Sequence, residues 1–273
     1  MKIIYRAAAA AAVIIGALGA AAATAPAQAA VILHSANWAG YITTAPAGQH
    51  ISSVYAEWTV PQARSQHSVG KPPYQAAMWV GIDGDSYFGQ KYGPFQCGVY
   101  EVTSSKAKAP AYSLFWEMVP DGIRPLTDSH GHTVHVRPGD HVDARVSYGI
   151  QPQYPSTYHK FTFFVSVNGW WYSTTQTPKA GWRIDRRTAE VISEAPTLGS
   201  TRSIPGMLDM GTVQYHSAFA VWDRDSSALH PVTVNKDELW HGTRQVLRVT
   251  APSTTPGWQH GPDRFATVVT GRW

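Results

Sequence analysis

The chain has one cysteine, few charged residues and no long helical periodicity. Cys97 is the only cysteine of the 273 residues, so an internal disulfide is excluded. Asp, Glu, Lys and Arg make up 15% of the chain and form no basic cluster, so we expect no nucleic-acid-binding surface. The Gly-x-Ser-x-Gly pattern of serine hydrolases and the His-Glu-x-x-His pattern of zinc enzymes are both missing. These absences argue against a disulfide scaffold and against the commonest serine and zinc hydrolases.

Two isolated features suggest chemistry at first sight. Cys97 follows Gln96 directly and is open to interpretation as a nucleophile, but we favour a small buried residue near a site. The segment His130-Gly131-His132 lacks the companion ligands of a zinc site and is interpreted as a solvated loop. We therefore predict no metal and no cofactor.

Residues 1–30 have the pattern of a secretory signal peptide. Lys2 and Arg6 precede the apolar run 7–23, and Ala27-Gln28-Ala29 matches a small-residue cleavage site. A transmembrane anchor is the alternative, but the run is rich in alanine and weakly hydrophobic. We predict a secreted monomer without a membrane segment after cleavage, folded as a single domain over 31–273. Loss of two basic residues would reduce the formal charge from +4 to +2.

Short alternating segments bounded by Gly, Pro and Asp predict an all-β protein. The strongest signal is a hairpin in which Asn168-Gly169, suited to a two-residue turn, joins two strands. Strands that recur every ten to fifteen residues indicate a two-sheet antiparallel β-sandwich. The predicted strands include 54–60, 133–137, 142–148, 161–167, 170–174, 246–250 and 266–270.

Three segments carry the functional signal. The run 79–85 reads Trp-Val-Gly-Ile-Asp-Gly-Asp, Gln96-Cys97-Gly98 follows it, and 189–194 reads Ala-Glu-Val-Ile-Ser-Glu. A glutamine carries a donor and an acceptor at one end. Facing a glutamate in a cleft, it can donate a hydrogen bond to an oxyanion while the glutamate takes a proton from water.

With segments 35–41, 58–61, 116–120 and 210–213 in the same order, the chain resembles the glutamic peptidases called eqolisins. The resemblance implies a lectin-like jelly roll, protein or peptide substrates and a catalytic dyad of Gln96 and Glu194. Glu194 would be the general base and then the acid toward the leaving amine, and Gln96 would stabilise the oxyanion. Because a free glutamate titrates near 4.3, we expect action at acid pH.

Other polar residues have a place in this interpretation. Glu190 lies four residues before Glu194, on the same strand face, and competes for the role of base. Asp83 and Asp85 either support the dyad or stabilise a turn, while a calcium loop is weaker because further ligands are missing. The resemblance places Glu117 beside the cleft, and we place two aromatic residues at the cleft floor or in the core: Trp38 and Trp79.

Departures and alternatives stay open at this point. Ser113 and Val119 stand where the family tends to have an acid and an aromatic residue, which leaves pH optimum and substrate preference open. A carbohydrate-binding or glycoside-hydrolysing sandwich is the main alternative, since Glu190 and Glu194 could form a glycosidase pair. A binding protein that keeps the scaffold without catalysis is the second.

Overall fold

Seventeen β-strands and one short 3-10 helix form the described part of the chain. The computed structural model describes residues 32–68, 70–85, 92–149, 159–197, 206–241, 244–259 and 261–270. The 3-10 helix spans Ser65–His67. The strands are β1 Ile32–Ser35, β2 Trp38–Thr44, β3 Ile51–Thr59, β4 Tyr74–Ile82, β5 Phe95–Thr103, β6 Ala111–Met118, β7 Arg124–Pro125, β8 His141–Gly149, β9 Lys160–Val167, β10 Trp170–Gln176, β11 Thr188–Glu194, β12 Gly206–Met207, β13 Thr212–Trp222, β14 Asp225–Pro231, β15 Asn235–His241, β16 Arg244–Val249 and β17 Phe265–Val269.

The strands build two packed layers, as the sandwich prediction requires. In the first layer the hydrogen-bonded order is β15, β2, β11, β4, β5 and β6. The second layer follows the order β13, β3, β8, β9 and β10. Strands β16 and β17 connect β15 to β13, so hydrogen bonding runs continuously around one edge. Among the described ladders, only β1–β15 and β12–β4 are parallel.

The main core lies between the two layers because each strand turns alternate side chains inward. Phe95 of the first layer stacks on Phe161 of the second with ring centroids 4.2 Å apart. Trp116 stacks in the same way on Phe163 at 5.6 Å. The opposite face of the first layer carries a smaller cluster of buried apolar residues, namely Ile42, Ala77, Trp79, Phe115 and Ile192.

Most of the strands predicted from the sequence are found where they were expected. The hairpin of β9 and β10 turns at Asn168 and Gly169, whose φ angles of 49° and 84° are both positive, as a two-residue primed turn needs. The predicted strand 133–137 is wrong. Thr133 and His135 form only isolated bridges. Val134 and Val136 point inward, so the alternation there reflects burial and not a ladder.

Some predictions concern residues outside the described part. The signal peptide 1–30 lies there, and so does the loop 150–158. No helix in the described part of the chain has the length and apolarity needed to cross a bilayer.

Candidate active site

The outer face of the first layer, away from the main core, carries the predicted site residues. On β4 this face includes Trp79 and Gly81, and on β5 it includes Gln96, which lies opposite Gly81. On β11 it includes Glu190 opposite Gly81 and Glu194 opposite Ala77. Alternation along three neighbouring strands therefore places residues from distant parts of the sequence on one surface.

Glu194 is held at the end of β11 by three side chains. Its Oε2 accepts a hydrogen bond from Trp79 Nε1 at 2.7 Å, and its Oε1 accepts one from Asn37 Nδ2 at 2.9 Å. Burial leaves Glu194 9% exposed. This burial, together with the nearby charge of Glu117, raises the pKa of Glu194 to about 7, while hydrogen bonds from Trp79, Trp38 and Asn37 oppose the rise. Glu194 is therefore a fixed carboxyl group that can exchange a proton near neutrality.

The two predicted tryptophans form the surroundings of Glu194. Trp38 meets Trp79 edge to face with ring centroids 5.0 Å apart. Trp79 is fully buried, and its indole N–H finds its partner in the carboxylate of Glu194. A Cβ at position 81 would lie 2.8 Å from the Trp79 ring, so Gly81 is needed for the ring to lie against the strand.

Gln96 contacts Glu117 and not Glu194. Gln96 Nε2 donates to Glu117 Oε2 at 2.8 Å, across the β5–β6 ladder. Burial raises the pKa of Glu117 to about 6, and this hydrogen bond opposes the rise. Gln96 Oε1 is buried without a hydrogen-bond partner among the described residues. Glu117 thus orients the Gln96 amide, and its negative charge raises the pKa of Glu194.

Glu190 lies in the same surface but is completely buried. Desolvation raises its pKa well above the usual range, a hydrogen bond with Thr188 opposes the rise, and the charges of Asp83 and Asp85 add smaller increases. Its side chain is 0% exposed, whereas that of Glu194 reaches the surface. This difference argues against the pair Glu190 and Glu194 as two carboxyls lining a glycosidase cleft.

Asp83 stabilises the chain connection before β11. Strand β4 ends at Ile82, and Asp83 has a φ of 64°, so Asp83 and Asp85 do not share a continued strand face. The Asp83 carboxylate accepts the backbone N–H groups of Arg186 at 2.6 Å and Arg187 at 2.7 Å. Its burial raises its pKa. Asp83 therefore fixes the entry into the strand that carries Glu194.

Three relevant residues were not singled out from the sequence. Asn37 binds Glu194, but a lone Asn in a Ser-Ala-Asn-Trp segment gives no signal for that contact. Asp237 of β15 lies opposite Gly40, and burial followed by the charge of Asp85 raises its pKa to about 8. Glu101, on the core face of β5, is fully buried and its pKa is raised well above the usual range.

Cys97 is the small buried residue that the sequence favoured. It lies in the main core, and burial raises the pKa of its thiol to about 12. A thiolate is strongly disfavoured there, so Cys97 is unsuited to be a nucleophile. His130 and His132 lie in an exposed loop, as expected.

Comparisons with solved structures place the fold among known peptidases. The chain superposes on scytalido-glutamic peptidase bound to a transition-state analogue inhibitor with a TM-score of 0.61 and 16% identity, covering 86% of this chain and 98% of that one. It is similar to SCP-B, an eqolisin in complex with the tripeptide Ala-Ile-His, with a TM-score of 0.54 and 13% identity over 86% of this chain and 98% of that one. Aspergilloglutamic peptidase from Aspergillus niger superposes with a TM-score of 0.53 and 18% identity, covering 72% of this chain and 99% of that one.

Sequence comparison gives the family. No curated protein matches the chain. The model of the Peptidase A4 family, in contrast, matches residues 36–256, which include the site residues described above. The resemblance drawn from the sequence motifs and the β-sandwich fold agree with this match. The chain therefore belongs to the Peptidase A4 family, the eqolisins, and is a peptidase.

Proposed function

We propose that this protein is a secreted glutamic endopeptidase whose catalytic dyad is Gln96 and Glu194. The observation that carries the proposal is the environment of Glu194. Its carboxylate is fixed by Trp79 and Asn37, is nearly enclosed, and has a pKa raised to about 7. A general base works best with a pKa near the pH at which it acts.

In this mechanism the ionised Glu194 takes a proton from a water molecule that attacks the scissile carbonyl. The protonated Glu194 then gives this proton to the leaving amine. The amide N–H of Gln96 that does not bind Glu117 is the donor to the oxyanion. Glu117 acts as a positioning residue, because its ionised carboxylate accepts one Gln96 N–H and so directs the amide nitrogen.

Glu194 is favoured over Glu190 as the base for two physical reasons. Glu190 is completely buried, and no indole N–H of the described residues stabilises its charge, whereas Glu194 keeps an exposed fraction and accepts hydrogen bonds from donors that include Trp79 and Asn37. The attacking water molecule therefore reaches Glu194 more readily than Glu190. Ionisation of the carboxyl group also requires less free energy at Glu194.

The raised pKa values of Glu117 and Glu194 set the acid limb of the activity. Glu117 and Glu194 interact, so the acid limb of the rate belongs to the pair and follows ionisation between about 6 and 7. As pH rises toward the raised pKa values of the buried Glu190 and Asp237, the stability that their protonated forms contribute is lost, which limits activity on the alkaline side. The proposal thus predicts a bell-shaped pH profile that rises through about pH 6–7 and has its maximum near neutrality, above the acid range expected of a free glutamate.

Hydrolysis of unfolded casein from pH 3 to pH 8 tests the proposal. Glu194→Gln should abolish activity with unchanged circular dichroism, while Glu190→Gln, which keeps the shape of a fully buried side chain, should retain much more. Gln96→Ala should lower kcat by about 10²–10³ with little change in KM, because an oxyanion donor acts mainly in the transition state. A dead Glu190→Gln variant beside an active Glu194→Gln variant would reverse the assignment of the base.

Secretion and substrate class have their own tests. The signal-peptide pattern of residues 1–30 supports secretion, and the mature N-terminus of exported protein, read by mass spectrometry, should lie near residue 30. Release of soluble sugar from polysaccharides without digestion of protein would favour the carbohydrate alternative.

A further inference from the structure

A second group of ionisable side chains lies on the outer face of the second layer, on the other side of the molecule from Glu194. Glu57 of β3 and Asp143 of β8 are directly opposite each other in the β3–β8 ladder, and Thr59 is opposite His141. Their neighbours along these strands, Trp58 and Val142, point into the main core. The group is therefore anchored on two rigid, central strands.

The ligand atoms of this group have the spacing of a metal site. One atom each from Glu57, His141 and Asp143 lie within 4.8 Å of one another. His141 Nε2 is 3.1 Å from Asp143 Oδ1 and 3.7 Å from Glu57 Oε2. Three ligands about 2.0–2.2 Å from one zinc ion are separated by similar distances, roughly 3.3 Å in a tetrahedral arrangement.

The group carries negative charge that the described residues do not neutralise. Two like charges directly opposite each other on neighbouring strands destabilise a sheet. Among the described residues, the only ion-pair partner of either carboxylate is His141. Arg145 lies over the Phe164 ring, and Arg264 donates to His216 of β13, which lies opposite Glu57. A bound cation would remove this repulsion.

The surroundings favour a metal over an isolated ion pair. Tyr55 Oη lies 2.7 Å from Glu57 Oε1 and 3.3 Å from Asp143 Oδ1, so it is placed to orient the carboxylates from behind. His141 is 50% exposed, which leaves an open side for entry and for water ligands. Outer-shell donors of this kind commonly orient metal-binding carboxylates.

We propose that Glu57, His141 and Asp143 form a binding site for a divalent cation of the zinc type, which joins β3 to β8 on the face opposite the peptidase site. One imidazole nitrogen with two carboxylate oxygens suits zinc better than calcium, which prefers oxygen ligands alone. No sequence pattern indicates this site, because its ligands come from two strands more than 80 residues apart.

Isothermal titration calorimetry with zinc and the untagged protein at pH 7 tests the proposal. We expect one saturable site and a rise in Tm with zinc, whereas magnesium gives neither. His141→Ala and the isosteric Asp143→Asn should each weaken zinc binding at least ten-fold, and Tyr55→Phe should weaken it by a smaller factor. His132→Ala is the matched control, since His132 lies 3.5 Å from Asp128 in an exposed pair without a third ligand, and it should leave the affinity unchanged.

Zinc binding at this site should be independent of the peptidase mechanism. The Glu194→Gln variant should bind zinc with wild-type affinity, and a chelator should lower Tm without removing peptidase activity at a temperature where the protein stays folded. Absence of saturable binding at up to millimolar zinc, or binding that is unchanged in both His141→Ala and Asp143→Asn, would overturn the proposal.

Discussion

The substitution Trp79→Phe tests whether the indole N–H sets the proton affinity of Glu194. It keeps an aromatic ring in the buried position but removes the 2.7 Å hydrogen bond from Nε1 to Glu194 Oε2. A hydrogen bond to a charged group contributes about 1.5–3 kcal/mol, and here it stabilises the ionised form only. At about 1.4 kcal/mol per pKa unit, its loss should raise the Glu194 pKa by about 1–2 units.

The consequence is measurable in the pH dependence of kcat/KM. The wild-type acid limb follows the ionisation of Glu194, whose pKa is raised to about 7. In Trp79→Phe the limb should move to higher pH, so that kcat/KM at a fixed pH on the limb falls about 10–100-fold, tenfold per unit. Hydrolysis of an internally quenched peptide, measured from acid pH up to about pH 10, gives both curves, because the shifted limb would lie about 1–2 pKa units above the wild-type value.

Trp58→Phe is the matched control for this experiment. Trp58 is also fully buried, but it lies in the main core, and its Nε1 has no hydrogen-bond partner among the described residues. It should therefore lose comparable packing without moving the acid limb. Identical limbs in folded Trp79→Phe and Trp58→Phe would show that the ionisation of Glu194, as the structure places it, does not control the rate.

Two further predictions concern stability. Burial raises the pKa of Glu101, so the folded protein keeps a proton that the unfolded chain releases; this stabilising effect is complete below about pH 4.3 and is lost as pH rises toward the folded pKa. Glu101→Gln should raise Tm at pH 7 but not at pH 3 by calorimetry, and an equal change at both would refute the buried-proton argument. Asp83→Ala leaves the N–H groups of Arg186 and Arg187 unpaired and should cost about 2–5 kcal/mol in urea unfolding, whereas Asp185→Ala, at a more exposed carboxylate, should cost under about 0.5 kcal/mol.

Short-range features of this protein are determined by the sequence itself. Asn168-Gly169 produces the β9–β10 hairpin because both residues tolerate positive φ. Alternation of apolar residues identified β3, β8, β9, β16 and β17, because one face of each strand is buried. The ordered motifs around Trp79, Gln96 and Glu194 were enough to recognise the family, which the match over 36–256 confirms.

The same local signals failed where alternating side chains are buried outside a β-strand. Segment 133–137 alternates as a strand does, yet Val134 and Val136 pack inward from an irregular connection. For Asp83 and Asp85 the sequence left open support of the dyad or stabilisation of a turn, and the turn at Asp83 directs its carboxylate to backbone N–H groups before β11. A sequence pattern reports which residues are buried, not which backbone groups pair.

Long-range register decided the rest of the site. The β4–β11 and β4–β5 ladders place Trp79 between Glu194 and the strand of Gln96, and the β5–β6 ladder places Glu117 opposite Gln96. The burial of Glu101 and the facing pair of Glu57 and Asp143 likewise arise from strands far apart in the chain. Proton affinity and charge repulsion depend on distance and desolvation in three dimensions, so the identity of a residue cannot reveal them.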